Sequence, residues 1–334
     1  MRRHKKHIWY INGWIAILAL AVLLTGLTGC SGTAAEVAVT EESDAAQESS
    51  QDTTAIGYVY GIPMDENAGV ITENVADIYS SPDVKSDRIT QALYNQPVSI
   101  LQQEPGWARV AAVDGSIGWM KLKYIDRDVS SIYGKTYNHR IIVTSREKTV
   151  HSGPSGGVTY VEAPMGCEFL SFNSSGDAYE VFLPGGKTGW IKGSGMIHIG
   201  QNQAIPVTNA EDFAATALRL KGASYLLNGM SGLGIDAHGL VYICARINGV
   251  ALPRSLAGQL SSGTEIAPEE ARAGDLVFLA GIGEGEEETV TCVGVGIGSG
   301  NYLYAGRKSG YVAIGDLKKD NPEGRIVAAR RIFN

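Results

Sequence analysis

Gly234-Ile235-Asp236-Ala237-His238-Gly239-Leu240-Val241 decides how the last third of this chain folds. Asp236 is a strong helix N-cap, because its short carboxylate can accept the unpaired N–H groups of a first turn. Leu240, Val241, Ile243 and Cys244 then recur at helical spacing, and Asn248-Gly249 supplies a stop. Upstream, Thr208-Asn209-Ala210-Glu211 has the form of a capping box, and Phe213, Ala214, Ala217, Leu218 and Leu220 carry a helix toward Gly222. Downstream the pattern changes to short strands, expected at 275–279, 292–297, 302–304 and 327–332. Helices followed by a run of strands predict an α+β unit over 203–334.

The middle of the chain repeats itself. Tyr79-Ser80-Ser81-Pro82 corresponds to His151-Ser152-Gly153-Pro154, and Trp107 to Tyr179. Asp114-Gly115-Ser116-Ile117-Gly118-Trp119 matches Gly185-Gly186-Lys187-Thr188-Gly189-Trp190, at an offset of 71 residues against 72 for the first two landmarks. Each copy alternates short β-rich runs, such as 97–102 and 108–113, with turn residues, which predicts two small barrels over 57–128 and 129–202. Trp119 and Trp190 are expected as core plugs rather than ligand platforms.

Residues 1–30 read as a secretion leader: Arg2, Arg3, His4, Lys5 and Lys6 precede an apolar run of 11 residues from Trp14 to Leu24. A membrane span needs about 20 such residues. Leu27-Thr28-Gly29-Cys30 resembles the lipobox of bacterial lipoproteins, which implies a lipid on Cys30 and a globular part outside the cytoplasmic membrane. Residues 31–56 are rich in Ser, Thr, Ala, Glu, Asp and Gln and predict a flexible tether reaching toward the cell wall. Lys and Arg total 28 against 35 acids. That balance argues against nucleic acid as a partner, since no basic surplus exists to displace phosphate counterions. Four cysteines without a C-x-x-C pattern, and histidines without an i, i+4 pair, indicate no metal site and no cofactor. The glycines at 294, 296, 298 and 300 precede a strand rather than a helix, so they predict close backbone approach and not a phosphate loop. Glu284, Glu286, Glu287 and Glu288 read as a solvated loop.

Two family resemblances follow. The ending "aromatic, x-Val, turn, Gly-Trp" of each repeat resembles the bacterial SH3 (SH3b) domain. Thr90-Gln91-Ala92-Leu93 in the first copy is similar to the leading SH3b domain found beside cell-wall peptidases. The C-terminal unit resembles the NlpC/P60 peptidases. The motifs are Gly222-Ala223-Ser224-Tyr225, Gly234-Ile235-Asp236, Gly239-Leu240-Val241, Leu252-Pro253-Arg254-Ser255, Ala273-Gly274-Asp275-Leu276-Val277-Phe278, Val293-Gly294-Val295 and Ala329-Arg330-Arg331-Ile332, in that order. The resemblance implies a papain-like fold and action on peptidoglycan stem peptides, commonly between γ-D-Glu and the following diamino acid.

Such chemistry needs a Cys at a helix N-terminus, a His beside it as base, and a third polar group to orient the base. Carried over by motif, the three positions fall on Ala237, Cys292 and Tyr304, none of which supplies the required group. In SH3b-bearing relatives, a Tyr and an acidic residue of the first SH3b domain help receive the stem peptide's amine. Ser116 and Gln96 stand at the matching places. The resemblance therefore implies a catalytically degenerate domain that binds stem peptide or a cell-wall protein. Tyr225, Asp236, His238, Arg254, Cys292 and Tyr304 are its expected cleft residues. The alternative is an active cysteine endopeptidase with a rearranged dyad, Cys292 attacking and His238 as base.

Overall fold

The computed structural model describes residues 58–201, 203–282, 288–319 and 321–333. The expected leader, Cys30, the tether and most of the Glu-rich loop lie outside the described residues. No helix among the described residues is long and apolar enough to cross a membrane.

The first repeat folds into seven antiparallel strands: β1 (Ala68–Ile71), β2 (Val75–Tyr79), β3 (Arg88–Leu93), β4 (Pro97–Glu104), β5 (Trp107–Ala112), β6 (Ile117–Lys121) and β7 (Ile125–Asp126). The second gives β8 (His139–Val143), β9 (Glu147–Gly153), β10 (Gly156–Pro164), β11 (Glu168–Ser175), β12 (Ala178–Leu183), β13 (Lys187–Lys192) and β14 (Met196–Gly200). The first sheet runs β3-β2-β6-β5-β4-β1-β7 and the second β10-β9-β13-β12-β11-β8-β14, which is the same order displaced by one repeat. Even the irregularities match. The ladder slips at Ile78/Tyr79 and Ile100/Gln102 in one copy, and at Val150/His151 and Ser171/Asn173 in the other. The aligned aromatics also meet the same partners, Tyr79 opposite Trp119 and His151 opposite Trp190.

The Gly of each Gly-Trp pair has a packing reason. A Cβ on Gly118 would lie 2.6 Å from the Tyr79 carbonyl oxygen, and one on Gly189 would lie 2.7 Å from Val150 Cγ1. The tryptophans themselves depart from expectation, for Trp119 and Trp190 are only half-buried. Side chains alternate along a strand, and Met120 and Ile191 take the inward positions, so the preceding Trp must face the other way.

The C-terminal half is α+β. Its helices are α1 (Ala210–Leu218), α2 (Ala237–Ile247) and α3 (Leu256–Leu260). They precede and cover a six-stranded sheet of β15 (Thr264–Ile266), β16 (Leu276–Ile282), β17 (Glu288–Gly298), β18 (Asn301–Ala305), β19 (Val312–Asp316) and β20 (Arg325–Arg331), in the order β15-β20-β16-β17-β18-β19. The cap of α1 sits one residue later than the capping box suggests. Asn209 accepts from the Asp212 N–H at 2.8 Å, and Thr208 instead donates its hydroxyl to Asn248 Oδ1. Of the four alternating glycines, Gly294 and Gly296 are crossed closely by Tyr302 and by the Arg272 carbonyl, whereas Gly298 and Gly300 form an open turn.

The first sheet closes on its own core around Ile78, Val98, Val110 and Met120. The second sheet does not. Ile141, Phe169 and Val181 belong to one continuous apolar cluster with Phe213, Leu240, Phe278 and Leu303 of the C-terminal half. Cys167 and Cys244 lie fully buried within it. Arg219 donates to the Thr144 carbonyl and Arg146 to that of Gly232, which fastens this junction with polar bonds at its edge.

Candidate functional site

The site is built at the N-terminus of α2. Asp236 is 1% exposed and caps the helix by accepting from the Gly239 N–H at 2.6 Å. Its other oxygen accepts from the Asn228 N–H at 2.9 Å, so the carboxylate also fixes the loop before it. Arg254, from the Leu-Pro-Arg-Ser segment, reaches the same carboxylate at 3.3 Å and bonds the Gly229 carbonyl. Ser255 beside it caps α3 by accepting from the Gly258 N–H.

His238 is held between these two groups. Arg254 Nη1 donates to Nδ1, and Nε2 lies 3.1 Å from Asp236 Oδ2. A guanidinium can only donate, so Nδ1 is the acceptor and Nε2 carries the proton toward Asp236. Burial holds this imidazole below its ordinary pKa; Asp236 pulls the other way and Arg254 reinforces burial. Both ring nitrogens are thus committed in a neutral ring.

In front of this clamp lies a cleft of about 360 Å³, walled by Tyr225, Ala237, His238, Cys292, Arg307 and Glu323 among others. Ala237 is the first residue of α2 and presents a methyl group there. Cys292, on β17, is 3% exposed, and its nearest acceptors are the Val293 and Ala305 carbonyls at 3.8 and 3.9 Å. Burial pushes its thiol pKa up, with the Glu323 and Asp236 charges adding to the effect. Such a sulfur is a neutral thiol and a poor nucleophile. Tyr225 is placed by backbone, its N–H donating to the Gly310 carbonyl and its main chain pairing with Ile235 in an isolated parallel bridge. Burial first, then the Asp236 charge, push its phenol up to about 12, so it meets a ligand as a hydroxyl.

Of the six residues expected to line the cleft, Tyr225, His238 and Cys292 do so. Asp236 and Arg254 lie behind, as the support of His238. Tyr304 pairs with Gly294 on the sheet face that carries Cys292, but its hydroxyl is spent on Ser309 at 3.2 Å and it packs on Tyr302. It does not wall the cavity. Neither do the first repeat's Ser116 and Gln96, the latter accepting from the Leu93 N–H.

The sequence reading missed the opposite wall. Glu323, 7% exposed, accepts from the Lys308 and Ser309 N–H groups and so holds up a loop that offers the exposed Arg307 and Lys308 to the cleft. The only local signal was two adjacent cations between glycines. Their carboxylate support lies 15 residues further on.

The first sheet reaches the site through Gln91, of the Thr-Gln-Ala-Leu run. Gln91 Oε1 accepts from the Met230 N–H at 2.9 Å while Nε2 donates to Asp77. Arg88, which pairs with Asp77, donates to the Leu227 carbonyl, and Asn228 returns a bond to the Arg88 carbonyl. Loop 227–230 is therefore held by the first sheet on one side and by Asp236 on the other.

Two SH3-like sheets ahead of an α+β unit, with a cleft at a capped helix N-terminus, define a modular protein of the α+β class. Residues 222–331 match the NlpC/P60 family and residues 78–125 match the bacterial dipeptidyl-peptidase Sh3 domain, so the chain carries both. It is 27% identical over 200 residues to a γ-D-glutamyl-L-lysine dipeptidyl-peptidase of Bacillus cereus, a match covering 57% of this chain and 60% of that one. A dipeptidyl-peptidase of the same name from Bacillus subtilis is 27% identical over 231 residues, covering 65% and 68%. The crystal structure of an NlpC/P60 family protein from Bacillus cereus superposes with a TM-score of 0.69 at 22% identity, over 80% of this chain and 100% of that one, which is a likeness of fold.

Proposed function

We propose that this chain is a lipid-anchored, wall-facing protein that binds peptidoglycan stem peptide without cutting it. The observation that carries the reading is Ala237: a methyl group occupies the first turn of α2, where the resemblance requires the nucleophile. Removing the nucleophile of a catalytic unit costs on the order of a million-fold in turnover. The rearranged dyad finds little support, because His238 has no free nitrogen and Cys292 is neutral. Exposed Arg307 and Lys308 favour a ligand with free carboxylates, and a γ-linked D-Glu carries one. The similarity to enzymes named for a γ-D-glutamyl-L-lysine substrate points to the same class of ligand.

Incubating the full chain with purified stem peptides should leave them intact by mass spectrometry over a long time course, while calorimetry reads saturable binding. Cleavage at the γ-D-Glu bond that vanishes in Cys292→Ala would overturn the reading and establish a rearranged peptidase. Intact peptide without binding would transfer the cleft to a cell-wall protein partner. Anchoring is tested separately: labelled palmitate should enter the wild-type chain in a bacterial host and be absent from Cys30→Ala.

A further inference from the structure

A groove of about 470 Å³ lies between the two SH3-like sheets and shares no wall residue with the cleft. Its apolar side is made by the nearly buried Tyr94 with Ile125 and Leu183. One wall is Tyr160 of β10, the extra residue of a bulge: Val150 pairs with Val161 and His151 with Thr159, and Tyr160 has no partner between them. The first repeat carries the same bulge, with Ile89 as its extra residue between Arg88 and Thr90. Bulges re-aim side chains, and the two copies aim this one differently. Ile89 folds back over its own sheet, with Cδ1 3.0 Å from where a Cβ on Gly118 would stand. At the matching Gly189 the nearest atoms belong to Val150, Leu183 and His151. Tyr160 stands instead at the groove, 49% exposed.

The polar rim carries both signs of charge. Asp126, on the edge strand β7, accepts from the Asp128 N–H at 2.9 Å and from the Gly185 N–H at 2.6 Å, which ties the first sheet to the turn between β12 and β13. Each of its oxygens keeps acceptor capacity after one such bond. Lys187, the first residue of β13, is exposed and forms no ion pair among the described residues, with Asp126 or any other acid. An ammonium and a carboxylate that share one groove without pairing leave a donor and an acceptor for a ligand of no net charge. Neighbouring hydroxyls answer both, because one can accept from Lys187 while the next donates to Asp126. An exposed tyrosine ring adds a flat amphipathic face at low entropic cost, which suits the C–H face of a sugar ring. A volume of this order is that of a small-molecule site.

We propose that this groove binds a neutral saccharide. One pyranose ring lies on Tyr160, its neighbouring hydroxyls bond to Asp126 and Lys187, and its apolar edge meets Tyr94, Ile125 and Leu183. The site draws on both sheets and does not rest on what the cleft holds.

Calorimetry and NMR titration on the full chain test this with chitotriose, cellotriose and maltotriose, with their monosaccharides, and with L-alanyl-L-alanine as a zwitterion of opposed charges. At least one saccharide should bind saturably with one-to-one stoichiometry. Tyr160→Ala should weaken it about tenfold or more, Tyr160→Phe far less, and Lys187→Met about threefold or more. These variants replace exposed side chains, where substitutions leave stability nearly unchanged. A trisaccharide that binds more tightly than its monosaccharide supports the proposal and marks a glycan chain as the source, and equal affinity supports it with a free sugar. Absence of saturable binding by every saccharide overturns it. So does binding that survives Tyr160→Ala, or that is lost in Arg307→Gln, which would move the saccharide to the cleft. Tighter binding of the dipeptide, lost in Tyr160→Ala, would also overturn it and make the groove a peptide site.

Discussion

His238 sets the response of the site to acid. Its native pKa lies below the ordinary 6.5, chiefly through burial, so the unfolded chain takes up a proton that the folded ring refuses. The stability this neutral ring contributes is present above about pH 6.5 and is lost as pH falls through the lower native value. Urea midpoints at pH 7.5 and 5.5 should fall more for the wild type than for His238→Gln, which keeps an acceptor for Arg254 and a donor for Asp236. An equal fall in both would disprove the assignment. At this scale the sequence was legible where chemistry is local. Asp236 declares itself as a cap because the N–H it serves is three residues away. That Asp236 and Arg254 would face His238 rather than the cleft depends on a contact across 16 residues, and the Arg307, Lys308 and Glu323 wall on a loop and its distant carboxylate. No period or spacing encodes either.

Helix α2 illustrates the same division among elements. Its start at Asp236 and stop at Asn248 follow from cap chemistry and from the apolar spacing between them. The five-residue α3 and the three-residue β15 were not readable, because such short segments carry too few positions to show a period and form only against their neighbours. Gly239 shows tertiary packing overriding propensity. Alanine is better than glycine in a helix by about 1 kcal/mol. Yet a Cβ there would stand 2.3 Å from the Gly229 carbonyl oxygen and 2.8 Å from Asp236 Oδ1. Gly239→Ala should therefore destabilise the protein by about 1–3 kcal/mol, read as a lowered melting temperature; an unchanged or raised one would show that loop 227–230 can yield.

Across the whole molecule, the two repeats have diverged in use while keeping one topology. The first keeps a core of its own and reaches the C-terminal half by polar bonds and through Leu93 and Tyr94 at its edge, whereas the second merges its core with that half. The repeat was legible from its landmarks, but this asymmetry was not, since it lives in contacts rather than in pattern. Gln91 is the point at which it can be tested. Gln91→Ala leaves the Met230 N–H buried without an acceptor, at a cost of about 1–3 kcal/mol. Amide exchange should accelerate at Met230 and stay slow at Leu240, within α2; parallel acceleration at both would mean that loop and helix open as one. The burial of Cys167, Cys244 and Cys292 has a different consequence, for redox chemistry. A thiol must ionise and be reached before it can be oxidised or exchange disulfides, and burial opposes ionisation in all three. While folded, these cysteines are inert to the oxidants and foreign disulfides of an oxidising compartment, and become vulnerable only on unfolding.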